Sequence, residues 1–274
     1  TDWNESTPWG GSECNYLDWM RFATVQCCDF MKFEIDTVKQ FTPDIPATTN
    51  MMGFFEGLDY WKVAEVCDFI SDDVYPPWGT LPDLRLILSE ISMRHDQHRA
   101  MKDGKPFLIM ESAPSATNWQ PGHPLKRPNQ HKLEELDAIG HGADGTLYFQ
   151  WRKSHGNLEK FHGAVVDHVG HSETRVFRDV AELGALYRKC GELCGSGYPV
   201  EAAVVFDWDS LWAFRTASGP GSLEQKAYTQ TVMENYRALW TRNIPLDVIE
   251  SLSDFSKYRL LICPMLFQIG RAHV

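Results

Sequence analysis

The sequence predicts an α/β fold, because short apolar segments alternate with helical patterns along residues 46–195. Each of four successive units consists of an apolar strand, a polar or aromatic loop and a helix. This alternation is typical of a parallel sheet with crossover helices. The sheet can be open and doubly wound, or it can belong to a (β/α)8 barrel, which needs eight units. Nucleotide binding lacks support, since no glycine-rich phosphate loop follows any predicted strand.

The predicted elements follow from periodicity and from helix start and stop signals. Residues 15–41 form a helix, because apolar side chains recur at steps of three and four before Pro43. Further helices are predicted at 81–104, 131–145 and 174–197. Pro82 and Asp83 signal the start of the first of these, and Gly104 its end. The apolar runs predict strands at 46–53, 67–79, 105–112 and 145–152.

Beyond the Gly195–Gly197 breaker the pattern changes. A strand within 200–214, a helix at 224–243 and a strand at 258–267 predict the start of a second α/β domain. The last six residues, 269–274, fit no element and resemble a translated sequencing adapter, so we expect a non-native tail. The chain also begins without Met. We therefore expect a fragment at both ends.

Composition narrows the classes of partner. A net charge of −11 argues against nucleic acid or an anionic membrane surface. No apolar run approaches the ~18 residues of a membrane span, and residues 1–11 lack the pattern of a signal peptide. The seven cysteines include no C-x-x-C pair, which favours reduced thiols over a disulfide framework. Cys190 and Cys194 are one helical turn apart. The two thiols either face a common neighbour or, as is more usual, belong to the core.

Polar and aromatic side chains gather just beyond the apolar segments. They are Asp72, Asp73, Tyr75, Glu111, Gln150 and Trp151. If the fold is a barrel, this chain holds its second half, and catalytic residues lie at these strand ends. Glu111 directly follows the apolar run Phe107–Met110 and precedes an aromatic loop. A single glutamate in this position would more often cap a helix or form a salt bridge.

One further polar stretch invites a metal assignment. It contains Asp167, His168, His171 and Glu173. Their spacing matches no known zinc pattern, so we expect supporting and helix-entry roles for them and no metal.

Three long blocks of the sequence resemble one enzyme family. MESAPSATNWQP, YFQWRKSHGNLEKFHGAVVDH and RVFRDVAELG closely resemble glycoside hydrolase family 42, the β-galactosidases, with similarity from about Trp3 to Phe267. The resemblance implies the C-terminal half of a catalytic (β/α)8 TIM barrel in residues 1–195. Residues 196–268 would begin an amidotransferase-like α/β trimerisation domain, cut short. It further implies a galactoside substrate, a homotrimer in the full-length protein, no cofactor and a bacterial cytoplasmic location.

The same resemblance implies roles for five residues. Glu111 matches the catalytic nucleophile of the M-E-x-x-P block, which forms a covalent galactosyl-enzyme intermediate in a retaining reaction. Trp119 matches the tryptophan that walls the galactose site. Glu159 and His162 match a pair that hydrogen-bonds sugar hydroxyls, and Tyr75 matches the tyrosine that ends the sixth barrel strand. Alone, Trp119 would be interpreted as loop packing, and Glu159 and His162 as a surface pair.

The resemblance also implies what this chain lacks. The family's acid/base glutamate belongs to an Asn-Glu pair at the fourth strand end, and the pair Asn4-Glu5 stands in a different context. The family's zinc-binding cysteines likewise lie upstream of this segment. We therefore expect the chain to be inactive alone. Two alternatives stay open for its function: α-L-arabinopyranosidase activity, and a non-catalytic carbohydrate-binding or scaffold role.

Overall fold

The computed structural model describes residues 13–78, 83–122, 124–217 and 227–267, without the side chain of residue 13. The helices, in chain order, are α1 Glu13–Lys39, α2 Tyr60–Val66, α3 Leu84–Met101, α4 Gln130–Gly140, α5 Arg175–Lys189, α6 Trp208–Thr216 and α7 Tyr228–Trp240. The strands are β1 Asn50–Met51, β2 Ser71–Val74, β3 Phe107–Ser112, β4 Ala143–Thr146, β5 Ala202–Val205, β6 Leu246–Ile249 and β7 Leu260–Ile262. A 3-10 turn at Gly191–Leu193 follows α5.

The described residues pack into two compact units. The four-stranded unit consists of Asn50–Gly53 and Ile70–Tyr198. The three-stranded unit contains the described residues within Thr1–Thr49, Phe54–Phe69 and Pro199–Val274. The predicted boundary near Gly195 stays a prediction.

The four-stranded unit is a parallel sheet in the order β1-β2-β3-β4. Strands in this strictly sequential order follow the winding of a barrel, whereas a doubly wound sheet reverses direction at a switch point. Four strands are half of the eight that a barrel contains. All the predicted strands of this segment are present, although each is shorter than its apolar run.

The register between β2 and β3 determines which side chains meet at the carboxyl end of the sheet. Asp72 pairs with Ile109, and Asp73 pairs with Glu111, with an irregularity between Asp72 and Asp73. In a parallel pair, residues in register point to the same face. Asp73 and Glu111 are therefore neighbours, a relation that follows from register and not from either strand alone.

Helix α3 buries many polar side chains together with the apolar Ile87, Ile91, Met93 and Met101. Its buried polar residues are Ser89, Ser92, His95, Asp96, Gln97, His98 and Arg99. Ion pairs offset much of the desolvation cost: Arg99 lies 2.5 Å from Asp96, and Arg94 lies 2.7 Å from the fully buried Asp72. Asp83 caps the helix by accepting from the backbone N–H of Arg85, which confirms the predicted start signal.

The three-stranded unit is a second parallel sheet, in the order β6-β5-β7. Every residue of β5 and β6 is buried, as expected for a strand covered on both faces. Helix α1 belongs to the same unit, because Arg21 on α1 lies 2.6 Å from Asp209 on α6. The indole of Trp212 donates to the backbone oxygen of Glu56 before α2 (2.6 Å).

Several element predictions were incomplete. The strand predicted at 145–152 ends at Thr146, because the chain then turns and the backbone N–H of Val165 donates to the oxygen of Gln150. The Phe149–Gln150 peptide bond in this turn is cis. Helices α2 and α6 and strand β6 were not predicted, since each spans nine residues or fewer and carries weak periodicity. The tail 269–274 lies outside the described residues.

All seven cysteines are free thiols. None of the helices in the described ranges combines the length and the apolar character needed to cross a bilayer.

Replacing His98 tests the buried polar side chains of α3. Burial lowers the pKa of His98 to about 4, although Asp72, 3.7 Å away, opposes the shift. An unfolded histidine takes up its proton near pH 6.5, so protonation favours the unfolded chain as the pH falls from 6.5 towards 4. We expect the free energy of unfolding of the parent to fall by about 2 kcal/mol more than that of His98→Gln between pH 7 and pH 5. Urea unfolding at both pH values measures this difference, and parallel pH dependences would contradict it.

Candidate active site

Glu111 lies near the carboxyl end of β3, where the apolar strand meets solvent. Phe107 and Ile109 bury their side chains and anchor the strand, so the carboxylate stands on a rigid support. Tyr75, just after β2, donates its hydroxyl to Glu111 Oε2 at 2.7 Å. Within the described ranges this neutral donor, and not a lysine or arginine, holds the carboxylate. A neutral donor can orient a carboxylate without pairing it with a positive charge.

Two rings pack against Tyr75, the hydrogen-bond donor to this carboxylate. The Tyr75 ring makes edge contacts with Trp119 (5.5 Å between ring centroids) and with His162 (5.7 Å). His162 is 1% exposed, whereas Trp119 is 62% exposed. The buried imidazole is thus fixed by packing, and the indole offers a flat face to a ligand. The apolar face of a pyranose suits such a surface.

Glu159 occupies the loop after β4 and is exposed. Its backbone oxygen accepts from the N–H of His162 at 2.9 Å, within a turn and not the helix that would place both side chains on one face. Its charge contributes to raising the pKa of Tyr75, after the larger effects of burial and of the Glu111 carboxylate. The structure therefore brings together four of the predicted residues, Glu111, Tyr75, Trp119 and His162. The charge of Glu159 lies close enough to affect the pKa of Tyr75.

The two acids that end β2 have different environments. Asp72 is fully buried, pairs with Arg94 and accepts from the backbone N–H of Gly53 at 3.0 Å, so it anchors the strand end. Asp73 accepts from Asn50 Nδ2 at 2.5 Å. Burial, the Glu111 charge and Asp72 raise the pKa of Asp73 to about 7, against the hydrogen bond from Asn50. Asp73, beside Glu111, therefore holds its proton more tightly than an ordinary aspartate does.

Sequence analysis placed Asp73 at a strand end but assigned it no role. The signal in the sequence was the adjacent pair Asp72-Asp73. Only the register of β2 against β3 shows that Asp73, and not Asp72, is the neighbour of Glu111.

A buried group of potential metal ligands lies elsewhere in the four-stranded unit. His131, Glu134 and Glu135 of α4 have ligand atoms within 4.8 Å of one another. Lys126 Nζ lies 2.7 Å from Glu134 Oε2 and already supplies a positive charge. Ser112 donates to Glu135 at 2.7 Å. Lys126 thus compensates the charge of Glu134, while burial and the neighbouring Glu134 raise the pKa of Glu135 to about 7. The absence of a metal stays a prediction.

The stretch that sequence analysis considered for a metal serves local structure. Asp167 lies 3.4 Å from Lys153, His168 Nε2 bonds the oxygen of Ser154 at 2.8 Å, and His171 accepts from the N–H of Glu173.

Comparisons with known proteins identify the family. A β-galactosidase family model matches residues 6–190, and a β-galactosidase trimerisation domain model matches residues 200–274. The chain belongs to glycoside hydrolase family 42. This confirms the resemblance drawn from the three sequence blocks.

Curated β-galactosidases are similar in sequence to this chain. The β-galactosidase Pbg of Clostridium perfringens is 48% identical over 256 residues, which are 92% of this chain and 37% of that protein. The β-galactosidase BglY of Alicyclobacillus acidocaldarius is 45% identical over 274 residues, 98% of this chain and 40% of that protein. The chain thus spans about two fifths of the length of these curated relatives.

A solved structure agrees with the fold. The cold-adapted β-galactosidase from Rahnella sp. R3 superposes with a TM-score of 0.89 at 48% identity, covering 93% of this chain and 38% of that one. The predicted fold class, the second half of a (β/α)8 barrel followed by α/β structure, is confirmed.

Replacing Gly163 tests the contact between the loops that follow β3 and β4. The N–H of Gly163 donates to the oxygen of Ala116 at 2.7 Å, and a Cβ on Gly163 would lie 2.8 Å from that oxygen. We expect Gly163→Ala to lower the free energy of unfolding by roughly 1–3 kcal/mol, because backbone must move. Gly156→Ala in the same loop is the control, since its Cβ meets nothing within 4 Å. Equal stability of the two variants in urea unfolding would contradict the close approach.

Proposed function

We propose that the whole protein to which this chain belongs is a retaining β-galactosidase, with Glu111 as its nucleophile. The observation that carries this proposal is the constellation at the end of β3. Glu111 stands on a largely buried strand and accepts from the neutral Tyr75, whose ring contacts Trp119 and His162. Membership of a β-galactosidase family supports galactosides as the substrate class.

The chemistry assigns each group a step. The Glu111 carboxylate attacks the anomeric carbon, and the bond from that carbon to the leaving oxygen breaks, which forms a galactosyl ester on Glu111. A second carboxyl group, ~5–5.5 Å from the nucleophile in retaining enzymes, protonates the leaving oxygen. That group then removes a proton from water as the water attacks the ester, which restores Glu111 and retains the anomeric configuration. By family resemblance, the second carboxyl group does not come from this chain.

The remaining site residues bind the sugar. Trp119 covers its apolar face, and Glu159 and His162 hydrogen-bond its hydroxyls. Tyr75 orients Glu111 for attack, since its hydroxyl already contacts one oxygen and leaves the other to react.

We further propose a homotrimer in the bacterial cytoplasm. The match of residues 200–274 to a trimerisation domain model supports the assembly, and the free thiols agree with a reducing compartment. Sedimentation of the complete protein tests the trimer.

Replacing Glu111 tests the nucleophile. In the complete protein, Glu111→Gln keeps the size of the side chain but removes the attacking charge. We expect kcat for an activated nitrophenyl β-galactoside to fall by about 10³-fold or more. A 2-deoxy-2-fluoro-galactosyl donor should label the parent, with the added mass on the peptide that contains Glu111.

The matched control is Glu192→Gln, an identical change at an exposed position of the 3-10 turn, which should retain parental kcat. Label on any other carboxylate would refute the assignment. Faster hydrolysis of nitrophenyl α-L-arabinopyranoside than of the galactoside would redirect the substrate class.

Replacing Tyr75 tests the orientation of the nucleophile. Tyr75→Phe keeps the ring contacts with Trp119 and His162 and removes the hydrogen bond to Glu111. A hydrogen bond to a charged group contributes about 1.5–3 kcal/mol, so we expect a loss of about 10- to 100-fold in kcat/KM. Steady-state kinetics measure the loss, and unchanged kinetics would show that orientation does not depend on Tyr75.

A further inference from the structure

Two neighbouring residues of the loop after β3 hold Tyr75 at different points. Trp119 contacts the Tyr75 ring, with 5.5 Å between the ring centroids. Gln120 is 8% exposed and reaches the backbone of the same segment. Its Nε2 donates to the backbone oxygen of Tyr75 at 2.8 Å and to that of Pro76 at 3.1 Å. One loop therefore holds both the ring and the backbone of a residue 45 positions before Gln120.

The orientation of the Gln120 amide follows from its partners. Backbone oxygens only accept hydrogen bonds, so the group that faces them is the NH₂, whose two protons match the two acceptors. The opposite orientation of the amide would bring three oxygens together. A side chain without these two donors cannot make the same contacts.

The segment that Gln120 holds lies just beyond the sheet. Strand β2 ends one residue before Tyr75, and the next two residues, Pro76 and Pro77, have no backbone N–H to donate to a ladder. The oxygen of Pro76 also accepts from the N–H of Trp78 at 2.8 Å. The hydrogen bonds from Gln120 thus fix the chain at the point where strand pairing ends.

The position of the Tyr75 backbone matters because the Tyr75 hydroxyl reaches the nucleophile. That hydroxyl donates to Glu111 Oε2 at 2.7 Å, and a hydrogen bond weakens steeply when its angle or length changes. The loop that carries Gln120 starts directly after β3, the strand that bears Glu111. It therefore runs from the strand of the acceptor back to the residue that supplies the donor. Both ends of the contact between Tyr75 and Glu111 are tied to this loop.

We propose that Gln120 is a positioning residue, which holds the Tyr75 backbone so that the Tyr75 hydroxyl orients the Glu111 carboxylate for attack. This inference rests on the proposed galactosidase function and extends the support of the nucleophile from Tyr75 to the loop after β3. Gln120 touches no reacting atom, so its effect on the reaction passes through Tyr75. Removing the Tyr75 hydroxyl should therefore remove the dependence on Gln120.

A double-mutant cycle tests this dependence. The complete parent protein, Gln120→Met, Tyr75→Phe and the double variant are compared in kcat and KM for a nitrophenyl β-galactoside. Methionine is close to glutamine in volume and lacks both donors. We expect Gln120→Met to lower kcat and kcat/KM by about tenfold in the parent. Where Tyr75→Phe is already present, the further loss should be no more than about twofold.

The matched control is Gln230→Met, the same change at an exposed position of α7, which should retain parental kinetics. Equal losses from Gln120→Met with and without the Tyr75 hydroxyl overturn the proposal. A loss confined to KM also overturns it, because Gln120 would then support sugar binding and not attack.

Covalent labelling isolates the step that depends on Gln120. A 2-deoxy-2-fluoro-galactosyl donor traps the ester on Glu111, so the rate of labelling measures attack and its final extent counts the folded sites. Gln120→Met should label to the parental extent but about tenfold more slowly. The rate refers only to sites that react, so a partly misfolded preparation does not obscure it. Labelling at the parental rate contradicts the inference.

Gln120→Glu is a second variant, of the same size as the parent side chain. A carboxylate cannot donate to two backbone oxygens, so above pH 7 this variant should lose at least as much kcat as Gln120→Met. Parental kcat in Gln120→Glu overturns the proposal.

The contact of Gln120 with Tyr75 has a readout that does not depend on activity. In the complete protein labelled with 3-fluorotyrosine, the ¹⁹F resonance that Tyr75→Phe removes belongs to Tyr75. It should shift or broaden in Gln120→Met and stay unchanged in Gln230→Met. An unchanged Tyr75 resonance in Gln120→Met overturns the inference. Failure of the parent to hydrolyse any galactoside would instead overturn the proposed function.

Discussion

The register between the parallel strands β2 and β3 is the constraint on which the candidate site depends. It places Asp73 beside Glu111, and two adjacent carboxylates cannot both stay ionised at low cost. The surrounding groups accommodate this conflict. Asp73 has a pKa of about 7 and is held by Asn50, while Glu111 receives the hydroxyl of Tyr75. The same strands thereby place an acid of raised pKa next to the carboxylate that Tyr75 orients.

Strand β2 is anchored on α3 by a buried ion pair. Arg94 of α3 pairs with the buried Asp72 and donates to the backbone oxygen of Asp73, both at 2.7 Å. Buried ion pairs of this kind add little net stability, but the loss of one partner is costly. They therefore hold β2 in place on α3. This gives a physical role to polar side chains that α3 buries beside its apolar ones.

Above the sheet, the site is assembled from loops that touch one another. Gly163 allows the loop after β4 to approach Ala116 more closely than any side chain would permit, and Asn118 bridges to Leu158 and His162. Trp119 and His162 consequently contact Tyr75 from opposite loops. A carboxylate on a strand, with aromatic and imidazole side chains on the loops that follow, is the arrangement expected at the carboxyl face of a barrel.

The sequence by itself determined the features that are local. Alternating apolar and helical segments predicted the parallel sheet, Asp83 marked the start of α3, and the run Phe107–Met110 ending in Glu111 indicated the site. The three motif blocks indicated the family. Through the family resemblance they also indicated the candidate sugar-binding residues Tyr75, Trp119, Glu159 and His162.

Only the tertiary structure decided which residues meet. The pairing of Asp73 with Glu111, the turn that ends β4 early and the packing of α1 with α6 depend on partners far apart in the chain. Asn118 and His162 are separated by 44 positions. Periodicity reports the geometry within one segment, whereas register and loop contacts are set by the free energy of packing distant segments together. No local pattern records that energy.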